Sequence, residues 1–293
     1  MLRSTLGHLA LVSGRAPGYR PQEDGQNEKL WTRLRQEAED AVAREPRLAR
    51  LFFDSILNQS SFEHAVFHRI AARLHNDVAP LAQLTEVFRK ALSADAAIGE
   101  ALSADIAAVV ERDPACDRFI EPFLYFKGFH AIQTHRVAHW LWHNNHRDFA
   151  LYLQSRSSDV FQTDIHPEAR FGRGIFLDHA TGLVVGATAV IEDEVSLLQN
   201  VTLGGTGKES GERHPKIRRG AMIGAGAKIL GNIEVGSCAR VAAGSVVLRP
   251  VPANATVAGV PARVVGTAGC SEPARTMDQI LNDLSYDSFN YTI

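Results

Sequence analysis

A chain of 293 residues has room for one large domain or two ordinary ones, and 45% hydrophobic with 22% charged residues is a globular composition. A formal net charge of −2 removes the electrostatic case for nucleic acid or an anionic membrane, and no apolar run approaches the ~20 residues of a membrane span. Cys116, Cys238 and Cys270 are too few and too scattered for a disulfide framework or a thiolate metal site, which points to a reducing compartment and so to the cytoplasm.

The opening Met1–Val12 is weakly apolar, is interrupted by Gly7 and His8, and precedes no small-residue cleavage site. With the breaker-rich residues 13–27 it reads as a disordered leader, 1–27, rather than a signal peptide. From Glu28 the pattern turns helical, with Leu30, Trp31, Leu34, Ala38, Ala41 and Val42 on one face. Pro46 suits the first turn of a second helix, and amphipathic segments follow at about 61–75, 80–92, 96–111, 118–144 and 147–160. Residues 28–160 are therefore expected to form an all-helical assembly domain without a catalytic motif. Within it His135, His139 and His143 recur on one helical face. Neighbouring members could bind zinc, but the glutamate of an HExxH pattern is missing and no outside ligand is evident. They read as structural histidines, with no metal.

After Gln162 the composition shifts to Gly, Val, Ile and Ala, marking a domain boundary. Every sixth residue is then apolar, from Ile165 through Phe171, Leu177, Leu183, Ala189 and Val195 to Val201, and again from Ile217 through Ile223, Ile229, Val235 and Val241 to Val247. A period of six fits neither a helix nor a flat strand; it is the mark of a parallel β-helix of hexapeptide repeats. Three hexads close one triangular coil, so about five coils spaced ~4.8 Å apart give a prism ~24 Å tall over residues 161–266. The polar segment 267–293 reads as a C-terminal tail.

Two interruptions carry candidate chemistry. Between Val201 and Ile217 the count implies an outward excursion, Gly207–Lys216, that includes Arg213 and His214. Its Gly204–Lys208 start lacks the spacing and the Ser or Thr of a phosphate loop. Asp164 precedes the first hexad and Asp178-His179 falls inside the third. A histidine near carboxylates is a candidate general base, though a surface histidine on a polar corner would show the same spacing.

Asp164-Ile165-His166-Pro167, Asp178-His179-Ala180-Thr181-Gly182, Val201-Thr202-Leu203-Gly204-Gly205-Thr206-Gly207, Arg213-His214-Pro215-Lys216-Ile217 and Ala258-Gly259-Val260-Pro261-Ala262 resemble the bacterial serine O-acetyltransferases. The resemblance spans about residues 28–266 and includes Lys127-Gly128-Phe129-His130 and His139-Trp140-Leu141-Trp142. It implies an α + β architecture, an N-terminal all-helical domain followed by a left-handed parallel β-helix. It also implies acetyl transfer from acetyl-CoA to the L-serine hydroxyl, with no cofactor beyond that co-substrate.

On this resemblance His179 is the base and Asp164 orients it, Asp113 and Asp178 hold the substrate ammonium, Arg213 its carboxylate, and His214 lies against the reacting hydroxyl. Gly205, Ala225 and Ala243 line the pantetheine groove. The resemblance further implies feedback inhibition by L-cysteine and a hexamer built as a dimer of trimers. A C-terminal tail ending in Ile293 would insert into O-acetylserine sulfhydrylase. Ala187 stands where many relatives carry an acid. Two other readings share the prism: an acetyltransferase for another small hydroxyl acceptor, and a non-catalytic assembly scaffold. A γ-type carbonic anhydrase would need three zinc histidines, and His166, His179 and His214 lack its closely spaced pair.

Overall fold

The computed structural model describes residues 21–207, 210–277 and 279; the first part of the leader and the Ile293 end of the tail lie outside the described residues. Helix α1 spans Pro21–Arg44, so it starts inside the stretch expected to be irregular. Proline is tolerated there because a first-turn N–H has no intrahelical acceptor to lose. After a 3₁₀ turn at Pro46–Leu48 come α2 (Ala49–Phe52) and a π turn at Phe53–Leu57. Then follow α3 (Phe62–Leu74), α4 (Leu81–Ala94) and α5 (Ala96–Arg112). The hydroxyl of Ser61 and the carboxylate of Asp95 cap α3 and α5 by accepting N–H groups of their first turns.

The helix expected over 118–144 is two, α6 (Ile120–Leu124) and α7 (Lys127–His143), because Phe126 takes an extended conformation between them. Helix α8 (Arg147–Phe161) ends on Gln162, which is left-handed at φ 60°. Leu34, Phe62, Ile70, Phe88, Leu102 and Phe123 lie in the helical core, each almost fully buried.

Short strands then wind into a prism. The first face stacks β1 (Thr163–Ile165), β4 (Leu183–Val185), β7 (Thr202–Gly204), β10 (Lys228–Leu230) and β13 (Val246–Val247). The second stacks β2 (Arg170–Phe171), β5 (Val190–Ile191), β8 (Lys216–Ile217) and β11 (Glu234–Val235). The third stacks β3 (Phe176–Leu177), β6 (Ser196–Leu197), β9 (Met222–Ile223), β12 (Arg240–Val241) and β14 (Ala255–Gly259). All of these pair in parallel; β15 (Ala262–Thr267) returns antiparallel to β14 and closes the stack.

The sixfold count slips in the first coil and again in the last, where Val251 stacks on Val235 and Val257 on Val241 two residues short of three hexads. Ile165 stacks on Val185 rather than on Leu183, whereas Val185 stacks on Leu203 at the spacing of three hexads. The first coil is therefore two residues longer than the second, and the surplus sits at the corner between β3 and β4, in the segment Asp178–Gly182. Leu203 is the last inward-facing stacked residue before the excursion, which is thus two residues shorter than the count implied. Leu183 and Val185 are both apolar and both buried, so the pattern alone runs through the slip unmarked.

Helices and prism are locked together by specific contacts. A Cβ on Gly128 would lie 2.0 Å from the Leu177 carbonyl oxygen, so only glycine lets the start of α7 rest on β3. Asp105 of α5 is fully buried; its Oδ2 accepts from Gln133 at 2.8 Å and from Arg136 at 2.7 Å, and its Oδ1 accepts the Ile175 N–H at 2.8 Å. His135 and His139 hydrogen-bond the Ala169 and Pro167 carbonyls at 3.1 and 2.8 Å, tying α7 to the first coil. Burial lowers the pKa of both rings, so they make these bonds as neutral donors. Beyond β15 the tail is not irregular throughout: α9 (Pro273–Thr276) packs on α5, and its buried Ala274 accepts a hydrogen bond from Ser196 Oγ at 2.8 Å.

Candidate active site

The surplus residues at the β3–β4 corner push a histidine outward. His179 and Ala180 are both left-handed, at φ 53° and 56°, a conformation that costs a residue with a Cβ of order 1 kcal/mol. Successive bonds from the Ala180 and Thr181 N–H groups to the Asp178 and His179 carbonyls hold the bend. The His179 side chain is 75% exposed, and its Nε2 lies 3.8 Å from Asp178 Oδ1. Burial raises the pKa of the Asp178 carboxyl; the His179 ring opposes the shift and the charge of Asp113 adds to it. Two carboxylates facing one space, one of them desolvated, make a site that a cation relieves.

That space is a cleft of about 310 Å³ between α5, the α6–α7 turn and the corner, lined by Asp113, Asp178 and His179 with Arg73, Tyr125 and Lys127. It would hold on the order of ten water molecules, the scale of an amino acid. Asp113 sits at the C-cap of α5 and its Oδ1 accepts the Ala115 N–H at 2.9 Å. Lys127 donates to Thr181 Oγ1 and, at 3.1 Å, to Gln162 Oε1, bracing the bend from the helical side. Behind it Arg73 bonds His130 Nδ1 at 2.8 Å; burial pushes the pKa of His130 down to about 3.

The opposite edge of the first face, where β4 turns toward β5, carries a second group. His214 is buried, and a Cβ on Gly186 would fall 2.0 Å from its Nε2, so the ring occupies the place of a side chain there. Thr188 bonds His214 Nδ1 through its hydroxyl at 2.9 Å and its N–H at 3.2 Å. Arg213 packs against Gly205. The pKa values of His214 and His166 are lowered first by burial, with the charge of Arg213 adding to the shift at both. Asp164 opposes the shift at His166, and its Oδ1 accepts from Gln154 at 2.6 Å rather than from His179.

The structure therefore brings Asp113, Asp178 and His179 together, and separately Arg213 and His214 with Gly205. Ala225 and Ala243 lie on the His179 corner, where the Asn200, Gly226 and Gly244 N–H groups bond the Thr181, Gln199 and Ala225 carbonyls in a ladder of small residues. Gly205 is at the other edge, across a three-residue strand or about 10 Å of sheet. The sequence reading missed Lys127 and Arg73 in the cleft and Thr188 beneath His214. Lys127 had a signal, its place beside the Gly128 that the docking needs; Thr188 had none.

Comparison with known proteins bears on this arrangement. Residues 30–134 match the model of the serine acetyltransferase N-terminal domain, and residues 214–249 that of the bacterial transferase hexapeptide. The serine acetyltransferase of Salmonella typhimurium is 51% identical over 264 residues, 90% of this chain and 96% of that protein. A crystal structure of serine acetyltransferase from Brucella abortus in complex with coenzyme A is 60% identical, with a TM-score of 0.83 over 84% of this chain and 98% of that one. A serine acetyltransferase in complex with cysteine is 51% identical, with a TM-score of 0.85 over 87% of this chain and 99% of that one. An N-terminal helical domain, a hexapeptide prism and half-identity over nearly the whole length agree: the chain belongs to the serine acetyltransferase family.

Proposed function

We propose that the protein transfers the acetyl group of acetyl-CoA to the hydroxyl of L-serine, giving O-acetyl-L-serine and CoA, in the cytoplasm. The observation that carries this reading is the division of the site: an acidic edge with a histidine, and a basic edge with Arg213 and a second histidine, on one face of the prism. An amino acid presents an ammonium to the first and a carboxylate to the second. The edges meet when prisms pack side by side, so each site is completed by a neighbour in a trimer, and helical domains join two trimers into a hexamer.

In this scheme Asp113 and Asp178 hold the ammonium and Arg213 of the partner subunit the carboxylate, a contact suited to a planar guanidinium. His179, with Asp164 assigned to orient it, takes the hydroxyl proton as the serine oxygen attacks the thioester carbonyl. The tetrahedral adduct then expels the CoA sulfur, which recovers that proton from the imidazolium. Ala225 and Ala243 let the pantetheine arm lie close to the ladder of backbone bonds, and Gly205 lines it from the neighbouring edge.

Release of free thiol from acetyl-CoA, measured against serine, homoserine and sugar acceptors, tests the reading. Turnover is expected to be fastest with serine. Faster turnover of another acceptor overturns the substrate, and no thiol release with any overturns the reaction.

L-Cysteine differs from serine by sulfur for oxygen and offers the same charged groups, so it is expected to inhibit competitively with serine. Arg213→Ala is expected to raise KM for serine and the cysteine inhibition constant together, each at least about tenfold. That is the size of a lost hydrogen bond to a charged group, ~1.5–3 kcal/mol. KM for acetyl-CoA should stay unchanged. Cysteine inhibition that persists unaltered in the variant would place the inhibitor elsewhere.

We also assign the Ile293 end, outside the described residues, to O-acetylserine sulfhydrylase. A terminal carboxylate can take the donors that hold an amino-acid carboxylate, and the Ile side chain adds up to ~1.5–3 kcal/mol of apolar burial. Deleting Ile293 is expected to abolish binding in calorimetry against that enzyme while acetyl transfer continues; equal affinity with and without it sinks the assignment.

A further inference from the structure

Thr188 uses every polar group it has on the returning end of the excursion. Its Oγ1 accepts the N–H of Arg213 at 3.1 Å and the N–H of His214 at 3.2 Å. A hydroxyl has two acceptor sites and one hydrogen, so the remaining contact, to His214 Nδ1 at 2.9 Å, is the one in which Oγ1 donates. The Thr188 N–H points at the same ring nitrogen from 3.2 Å. Its carbonyl accepts from Lys216 Nζ. Two donors aimed at Nδ1 leave no room for a hydrogen there, so the hydrogen of the neutral ring is on Nε2, the atom seated over Gly186.

We infer that Thr188 is a positioning residue: its hydroxyl sets Arg213 and His214 in place together and fixes His214 as the Nε2–H tautomer. This rests on the acetyl-transfer reading of the site and gives its two histidines different work. His179, exposed and beside a carboxylate, accepts a proton. His214 cannot accept one at Nε2; there it can only donate a hydrogen bond to the reacting group, and no proton leaves it. The lowered pKa of His214, from burial and from the charges of Arg213 and Lys216, is consistent with a ring that stays neutral through the reaction.

Thr188→Val keeps the shape and the N–H but removes the hydroxyl. Displacing a ring that must meet a reacting atom costs up to ~100-fold in rate, so kcat is expected to fall at least about tenfold. KM for serine should rise as Arg213 loses its anchor, while KM for acetyl-CoA holds. Thr188→Ser restores the hydroxyl and is expected to keep kcat within about threefold of the parent. Because the effect on kcat runs through His214, adding Thr188→Val to His214→Gln should lower kcat by no more than about a further twofold, the non-additivity of residues acting as a unit.

A Ser variant as impaired as Val overturns the inference, and so does a full tenfold loss in the His214→Gln background. A second measurement does not depend on turnover. In full-length protein labelled with ¹⁵N at histidine, the His214 signals, identified by their loss in His214→Gln, are expected in the Nε2–H form at neutral pH. An Nδ1–H form or an imidazolium overturns the inference even if Thr188→Val does not fold. Parent protein that releases no thiol with serine overturns the reaction instead, and the tautomer then decides Thr188 alone.

Discussion

His179→Ala is expected to lower kcat with serine by ~100-fold or more, the usual contribution of a positioned general base, with little change in KM for either substrate. The side chain is largely solvent-exposed and its hydrogen-bonded bend is made by backbone groups, so its removal leaves the corner standing. On the proposed scheme the ammonium would still meet Asp113 and Asp178, which line the same cleft, and the ladder of backbone bonds assigned to pantetheine is untouched. What would be lost is the group proposed to take the hydroxyl proton during attack. Steady-state kinetics with both substrates varied give the test. Near-parental kcat would remove His179 from the chemistry, and a loss expressed only in KM would make it a binding group.

Asp105→Ala is expected to destabilise the protein by about 3–5 kcal/mol, the cost of leaving one partner of a buried ion pair uncompensated. Arg136 is 9% exposed and bonds Asp105 Oδ2 at 2.7 Å; its other bond, to the Gly172 carbonyl, cannot balance its charge. The same substitution orphans the amide of Gln133 and the N–H of Ile175. These bonds join α5, α7 and the entry to β3, so the loss should also loosen the seat of the prism on the helices. A melting temperature lower by roughly 10 °C is the expected readout. A fall equivalent to under about 1 kcal/mol would mean that solvent reaches Arg136 and the network contributes little.

The prism was legible because its interior accepts only apolar side chains at fixed steps, and Ile217, Ile223, Ile229, Val235 and Val241 are all fully buried as the period requires. The slip at Leu183 was not legible, since a residue two positions from a stacked one also faces inward at a corner. Nor was the break between α6 and α7, where apolar residues run through and only the backbones of Tyr125 and Phe126 depart from helix. Helix α9 was missed because a single turn has no periodicity to read; it is held by Ser196 and by Arg275, which reaches Glu111 at 3.3 Å. In the site, Asp178 and His179 were named from a motif and Asp113 from the resemblance, and the structure shows that all three line one cleft. That Arg213 and His214 stand on the other edge is a fact of coil geometry that no spacing in the sequence expresses.

The surplus pair of residues at the His179 corner has a further consequence. A solenoid lengthens a corner without disturbing the coils above and below, because Ile165, Val185 and Leu203 keep their stacking whatever the chain does between them. The residues that hold the prism and the residues that present its chemistry are thus largely different residues. Substitutions in the bulge or the excursion can re-shape which acceptor is chosen while the melting behaviour stays put, and repacking of the interior can raise heat tolerance while selectivity stays put. Such a scaffold can drift in one property without losing the other, a form of mutational robustness that a single shared core does not offer.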